Sequence, residues 1–126
     1  MKKTNRTMLT DAFRILRTRS LIARQNFMCC SGCASAELAS QCAKDETKVG
    51  AVFYHRQEGE RLRDGAELVH VSYGHVLGGG ENDAKIGAVV AATMVKVGLE
   101  ARWDGNPERC VEVLLPGGID AEVTLS

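Results

Sequence analysis

Ala84-Lys85-Ile86-Gly87-Ala88-Val89-Val90-Ala91-Ala92-Thr93-Met94-Val95-Lys96-Val97, followed by Gly98, is the stretch on which the fold turns. Ile86, Val89, Val90, Thr93, Met94 and Val97 recur at the spacing of one broad helical face, and Lys85 and Lys96 turn toward water. Gly98 is placed to end the helix, because only glycine enters the left-handed region there without a steric cost. A stripe this wide has to be buried against another layer, and the neighbouring segments supply one. Upstream, Val49–His55 is β-branched and aromatic, and Glu67–Gly74 has the same character; both read as strands. Downstream, Leu99–Asp104 and Arg109–Leu115 flank the turn Asp104-Gly105-Asn106-Pro107. Pro116-Gly117-Gly118 turns the chain again. Ile119, Ala121, Val123 and Leu125 then alternate with Asp120, Glu122, Thr124 and Ser126, the period of a half-solvated strand at a sheet edge.

Working toward the N-terminus, Arg56–Asp64 reads as a helical turn or loop, and Ala34–Lys44 as a short helix. Thr7–Arg24 reads as the first helix, with Leu9, Phe13 and Leu16 as its stripe. Leu77–Asp83 is expected as a loop in which Asn82 or Asp83 caps the long helix. The expected fold class is α+β: a mixed α/β sheet of about five strands, part parallel and part antiparallel, ending in an antiparallel meander. Three helices pack on that sheet and cover one face. Helices between the early strands favour parallel pairing there, and tight turns favour antiparallel pairing at the end. The chain is expected as one domain over residues 1–126, with residues 1–6 allowed as a disordered basic N-terminus. An exposed last strand makes a homodimer, or another protein partner, the expected kind of association.

Composition narrows the function classes. With 126 residues, 44% hydrophobic and 25% charged, the chain has the usage of a globular domain, which excludes disordered and fibrous classes. No apolar run reaches the roughly 18 residues of a membrane helix, and no apolar core follows the basic start, so a cytoplasmic location is expected. Sixteen basic side chains balance sixteen acidic ones, which removes a whole-molecule argument for nucleic acid. The balance is local, though: residues 1–24 hold seven basic side chains against Asp11 alone. Either that segment meets an external anion, or it lies on its own acidic domain; the apolar stripe favours the second.

Four of the five cysteines fall between Cys29 and Cys42, as Cys29-Cys30-Ser31-Gly32-Cys33 and then Cys42. Cys30-x-x-Cys33 is half of a zinc site, since two thiolates on a tight turn meet one ion. The fold would have to bring in two more ligands from Cys42, Cys110, His55, His70 or His75, and Cys29, Cys30, Cys33, Cys42 and His55 are the candidate set. The same turn ahead of a helix lowers a thiol pKa, as dithiol redox chemistry requires, but the only prolines are Pro107 and Pro116 and neither suits the companion cis-proline. The third reading is packing, in which unpaired cysteines behave as small buried hydrophobes. Packing is favoured, so no cofactor is expected, with zinc as the alternative.

Gly74-His75-Val76-Leu77-Gly78-Gly79-Gly80 runs from strand to helix like a phosphate cradle, but Glu81-Asn82-Asp83 follows where Lys and Ser/Thr are needed. His55 and His75 both close predicted strands, and a parallel pair would bring them to one sheet edge as a polar site, with Glu81 or Asp83 to orient a base. Ser72 and His70 share a strand face without a nucleophile elbow. Trp103 reads as a lid on the core.

Ile22-Ala23-Arg24-Gln25-Asn26-Phe27-x-Cys29-Cys30-x-x-Cys33, Ala36-Glu37-Leu38, Val52-Phe53-Tyr54-His55, Ser72-Tyr73-Gly74 and Gly98-Leu99-x-x-x-Trp103-Asp104-Gly105 together resemble an uncharacterised bacterial domain-of-unknown-function family. The resemblance runs from Leu21 to about Val113 and implies a small cytosolic bacterial protein without a known activity. Where the family pattern carries Gly-His after the third cysteine, Ala34-Ser35 stands here, which removes the nearest further metal ligand. The favoured function is a non-catalytic module that binds a protein or a small ligand; the alternative is a zinc-binding or thiol-redox protein built on the cysteine turn.

Overall fold

The computed structural model describes residues 2–26 and 31–124. In chain order these form β1 (Lys2–Thr4), α1 (Asn5–Arg17), β2 (Leu21–Arg24), α2 (Ser31–Lys44), β3 (Gly50–Phe53), α3 (Arg56–Arg63), β4 (Leu68–His75), α4 (Gly80–Lys96), β5 (Glu100–Arg102), β6 (Val111–Leu114) and β7 (Glu122–Thr124). Five strands make one sheet in the order β2-β3-β4-β6-β5, and β1 and β7 make a separate pair. Only β2 and β3 run parallel within the larger sheet; its other pairs are antiparallel. The expected α+β class with a mixed five-stranded sheet is what the chain adopts.

Alternation along the strands builds two cores. Leu21, Ala23, Val52, Val69, Val71, Val111 and Val113 join Met8, Leu9, Phe13 and Leu16 of α1 and Ile86, Val90 and Met94 of α4 on one face. On the opposite face, Ile22, Ala51 and Phe53 meet Leu38 and Cys42 of α2. Helices therefore lie on both faces, not on one as the sequence suggested. The far face of β4, β6 and β5 carries polar His70, Ser72, Glu112 and Arg102 instead, and it forms an open cleft.

Helix α1 stops at Arg17, well short of the expected Arg24. Its buried stripe ends at Leu16, and the next positions on that face are the polar Arg19 and Ser20. Ser20 takes a left-handed conformation (φ 62°), which redirects the chain into β2. The long helix behaves as expected at its C-terminus: Gly98 has φ 105°, its N–H donates to Val95 O, and Leu99 N–H donates to Met94 O at 2.9 Å. That pair of bonds is a Schellman ending. Its N-terminus differs. Helix α4 starts at Gly80, so Asp83 does not cap it; Asp83 Oδ1 accepts the His75 N–H at 2.8 Å and closes β4.

Strands β3 and β4 pair antiparallel although α3 connects them. Eight residues of helix rise only ~12 Å, and α3 plugs the sheet end through buried Leu62 without returning along the sheet. Gly50 fits this pairing because a Cβ there would collide with Gly74 O.

The basic N-terminus, allowed above as disordered, is a strand and a helix start. Lys3 pairs with Val123, and Thr4 Oγ1 caps α1 by accepting the Thr7 N–H. Asn5 is fully buried; its side-chain N–H groups donate to Pro116 O and Gly118 O, and its backbone N–H to Ala121 O. Arg6 clasps both oxygens of Asp120, Lys3 and Arg14 pair with Asp11, and Arg17 donates to Ala23 O. Much of the N-terminal charge is spent inside the molecule. The last strand thus meets the N-terminus and does not extend the larger sheet, whose edges are β2 and β5.

Candidate functional site

A groove of about 520 Å³ runs beside α4. Leu21, Val49, Ile86, Val89 and Ala92 give it an apolar lining, and Thr93 lies between them and Lys96. Among the described residues its ionisable lining is Arg19, Lys85, Lys96 and His75, with no carboxylate. The helix makes this arrangement simply. Lys85, Val89, Ala92 and Lys96 follow one another at intervals of four, three and four, so they share one face of α4. The turn after α1 brings Arg19 alongside, and Val49, whose N–H donates to Ser20 O, is the residue just before β3. Among the described residues, Arg19, Lys85 and Lys96 take part in none of the ion pairs, whereas Lys3, Arg6, Arg14, Arg61, Arg102 and Arg109 each do. His75 closes one end. Its Nδ1 accepts the Leu77 N–H at 3.0 Å, which places the ring proton of the neutral form on Nε2.

A second concavity, about 710 Å³, lies over β4, β6 and β5 and is lined by His70, Arg102, Trp103, Arg109, Cys110 and Glu112 among others. Its centre is an imidazole between two carboxylates. Glu58 of α3, with a side chain only 5% exposed, accepts from His70 Nδ1 at 3.0 Å and from Arg61 at 3.1 Å through the same oxygen. Glu112 stands 3.6 Å from His70 Nε2. Cys110 is exposed and lies 3.5 Å from the Ser72 hydroxyl, its cross-strand neighbour. A buried carboxylate that fixes an imidazole is the usual partner of a working base, but the walls here are exposed ion pairs of both signs, Arg102–Glu100 and Arg109–Asp104 at 3.9 Å.

The candidate residues named from sequence are not gathered in one place. His75 lies opposite Gly50 at the start of β3, and His55 follows the far end of that strand, so antiparallel pairing sends the two histidines to opposite ends of the sheet. His55 instead precedes α3, where its carbonyl accepts the Gly59 N–H and its buried Nδ1 has no partner among the described residues. Cys29 and Cys30 lie outside the described residues, as does the Cys33 side chain. Cys42 is buried in the smaller core, where burial pushes its thiol pKa up. Among the described residues no group of three His, Cys, Asp or Glu side chains is arranged to hold a metal ion. Trp103 packs edge-on to Tyr73 at 5.9 Å, the lid role expected of it. The Glu58–His70 pair and the cationic groove were not foreseen. The groove had a signal, two lysines on one helical face separated by small apolar residues; the pair had none, since only the packing of α3 brings Glu58 to β4.

A family sequence model matches residues 1–115, every element from β1 to β6. The chain belongs to DUF6891, a domain of unknown function. The resemblance drawn from the sequence blocks is thereby borne out at the level of an uncharacterised family. All residues of the groove and of the His70 cleft fall inside the DUF6891 match, and β7 lies beyond it. No curated protein and no solved structure matches the chain. Among the described residues no helix is long and apolar enough to cross a membrane.

Proposed function

We propose that this DUF6891 chain is a non-catalytic ligand-binding module whose ligand lies in the groove beside α4. The observation that carries the reading is the groove's lining: a concave apolar surface of about 520 Å³ bordered by a few convergent polar groups. Small-molecule sites have this make-up and a volume of roughly 300–1,000 Å³. The His70 cleft is larger, but exposed residues of both charges line it, and water competes there for every contact. Two unpaired thiols, Cys42 and Cys110, support a reducing, cytoplasmic setting for the module.

The test is a fragment screen on the full chain by methyl-resolved NMR, using aliphatic carboxylates, amines and neutral amphiphiles. Binders are expected to shift the methyl signals of Ile86 and Val89. Ala92→Trp, on an exposed position of the groove wall, is expected to block them without lowering the melting temperature. Binders that shift only residues around His70, or that ignore the Ala92→Trp plug, would overturn the assignment.

A further inference from the structure

We infer that the ligand of the α4 groove is an anionic amphiphile: a single carboxylate or similar anionic head on a short hydrocarbon body. This rests on the reading of the groove as a ligand site and adds the chemistry of the occupant. In a chain with no net charge, a concavity whose ionisable lining is wholly basic departs from an even mixture. Four basic residues of the N-terminal segment, Lys3, Arg6, Arg14 and Arg17, find a carboxylate or a carbonyl within the molecule. Arg19, Lys85 and Lys96 form no ion pair among the described residues, so their charges are free for a ligand. Like charges gathered on low-dielectric walls focus a positive potential into the groove and draw in anions.

The hydrocarbon half of the ligand follows from the floor. Leu21, Ile86, Val89 and Ala92 offer no hydrogen-bonding side chain, and the Thr93 hydroxyl is already committed to Val89 O at 2.7 Å. A small hydrophilic anion such as inorganic phosphate would leave that floor wet. An apolar body covers it, and each buried CH₂ adds to the affinity. Lys85 and Lys96 stand eleven residues apart on α4, about 16 Å along the axis, a span longer than an extended ten-carbon chain, so such a chain fits between them. His75 adds a donor at one end, because its Nδ1 is occupied by Leu77 N–H and Nε2 carries the proton. Val76 and Leu77, which follow His75 in the chain, are exposed apolar side chains.

The experiment is isothermal titration of the full chain with decanoate, decylamine and 1-decanol below their aggregation concentrations, and in parallel with vesicles of phosphatidylglycerol. Decanoate is expected to bind at one saturable site, and affinity is expected to fall as salt rises. Lys85→Glu/Lys96→Glu should weaken it by about tenfold or more, since the change reverses the positive potential of the groove. Both positions are exposed, so the melting temperature of this variant should stay near that of the parent, and Lys85→Gln/Lys96→Gln should give an intermediate affinity. Decanol or decylamine binding as tightly as decanoate in the same groove would sink the anionic assignment while leaving the groove as a ligand site. Failure of all three would remove the site itself. Sedimentation with vesicles in the absence of free decanoate binding would replace a free amphiphile by a lipid surface, and so refute the inference as stated.

Discussion

Gly87→Ala asks whether α4 is seated as closely as the structure shows. In an exposed helix this change stabilises by up to about 1 kcal/mol, because alanine is the better helix former. At Gly87 the added Cβ would lie 2.6 Å from Trp103 Cζ2, 2.9 Å from Trp103 Cη2 and 2.9 Å from Tyr73 Cζ. Ordinary carbon contacts begin near 3.5 Å, so one ring must move by most of an ångström. Neither ring is free to do so. Trp103 Nε1–H donates to Asn106 O at 3.1 Å, and the Tyr73 hydroxyl donates to Arg109 O at 2.7 Å. Overpacking of this kind costs about 1–3 kcal/mol, and a loosened hydrogen bond about 1 kcal/mol more. After the helix gain is subtracted, Gly87→Ala should destabilise by about 1–3 kcal/mol, a fall of roughly 4–11 °C in Tm for a chain of this size. Urea unfolding followed by far-UV circular dichroism gives the free energy, and the sole tryptophan, Trp103, gives an independent fluorescence readout. Trp103→Phe removes the two closest indole atoms, so Gly87→Ala should cost less in that background, a coupling that a double-mutant cycle measures. A stabilised Gly87→Ala variant, or one whose cost ignores the Trp103→Phe change, would refute the close contact between α4 and the β4–β5 end.

Asn5→Ala removes the two side-chain donors that hold Pro116 O and Gly118 O in a buried corner, and should cost about 2–3 kcal/mol in chemical unfolding; a change below 0.5 kcal/mol would contradict the burial. Alkylation of the native protein followed by mass spectrometry should label exposed Cys110 well before Cys42, whose buried thiol is held protonated above its ordinary 9.0; equal rates would contradict the packing of α2. Burial likewise raises the phenol of Tyr54 above 10.0. In both cases the unfolded chain loses its proton first, so the contribution of these two groups to stability should be level below about pH 9 and fall as pH rises beyond it. Tyr54→Phe should flatten the fall above pH 10, and an unchanged slope would show that this phenol does not contribute. Metal analysis of purified protein should find no stoichiometric zinc, and a chelator should leave Tm unchanged, because the Cys42 sulfur sits among Ile22, Leu38 and Phe53; zinc near one equivalent would restore the cysteine turn as a metal site.

What the sequence made legible was governed by strong local patterns. The stripe on α4 and the left-handed Gly98 that ends it, the alternating Val69 and Val71 of β4, and the turn between β5 and β6 all announce themselves within a few residues. What failed depended on partners far away in the chain. Leu21–Arg24 is too short to show a period, and it is a strand only because β3 lies beside it. The tail after Pro116 alternates as an edge strand would, but nothing local says that its mate is Lys2–Thr4. The direction of β4 against β3 hinged on α3 being eight residues long and sitting past the strand ends, and with that direction went the expected meeting of His55 and His75. For the groove, the pattern Lys85-Val89-Ala92-Lys96 was present, but Arg19 and Val49 join it only once Ser20 has turned the chain.

The pairing of β1 with β7 sets Lys2 opposite Thr124, and the Arg6–Asp120 clasp lies close behind it. Any polypeptide attached ahead of Lys2 and any attached after Thr124 therefore leaves from neighbouring points. Two fusion partners, one on each side, would crowd each other rather than be held apart. By the same token a short glycine-serine bridge could stitch the ends together and new ends be opened at the Leu77–Gly79 bend, giving a circularly permuted molecule with its apolar interior undisturbed.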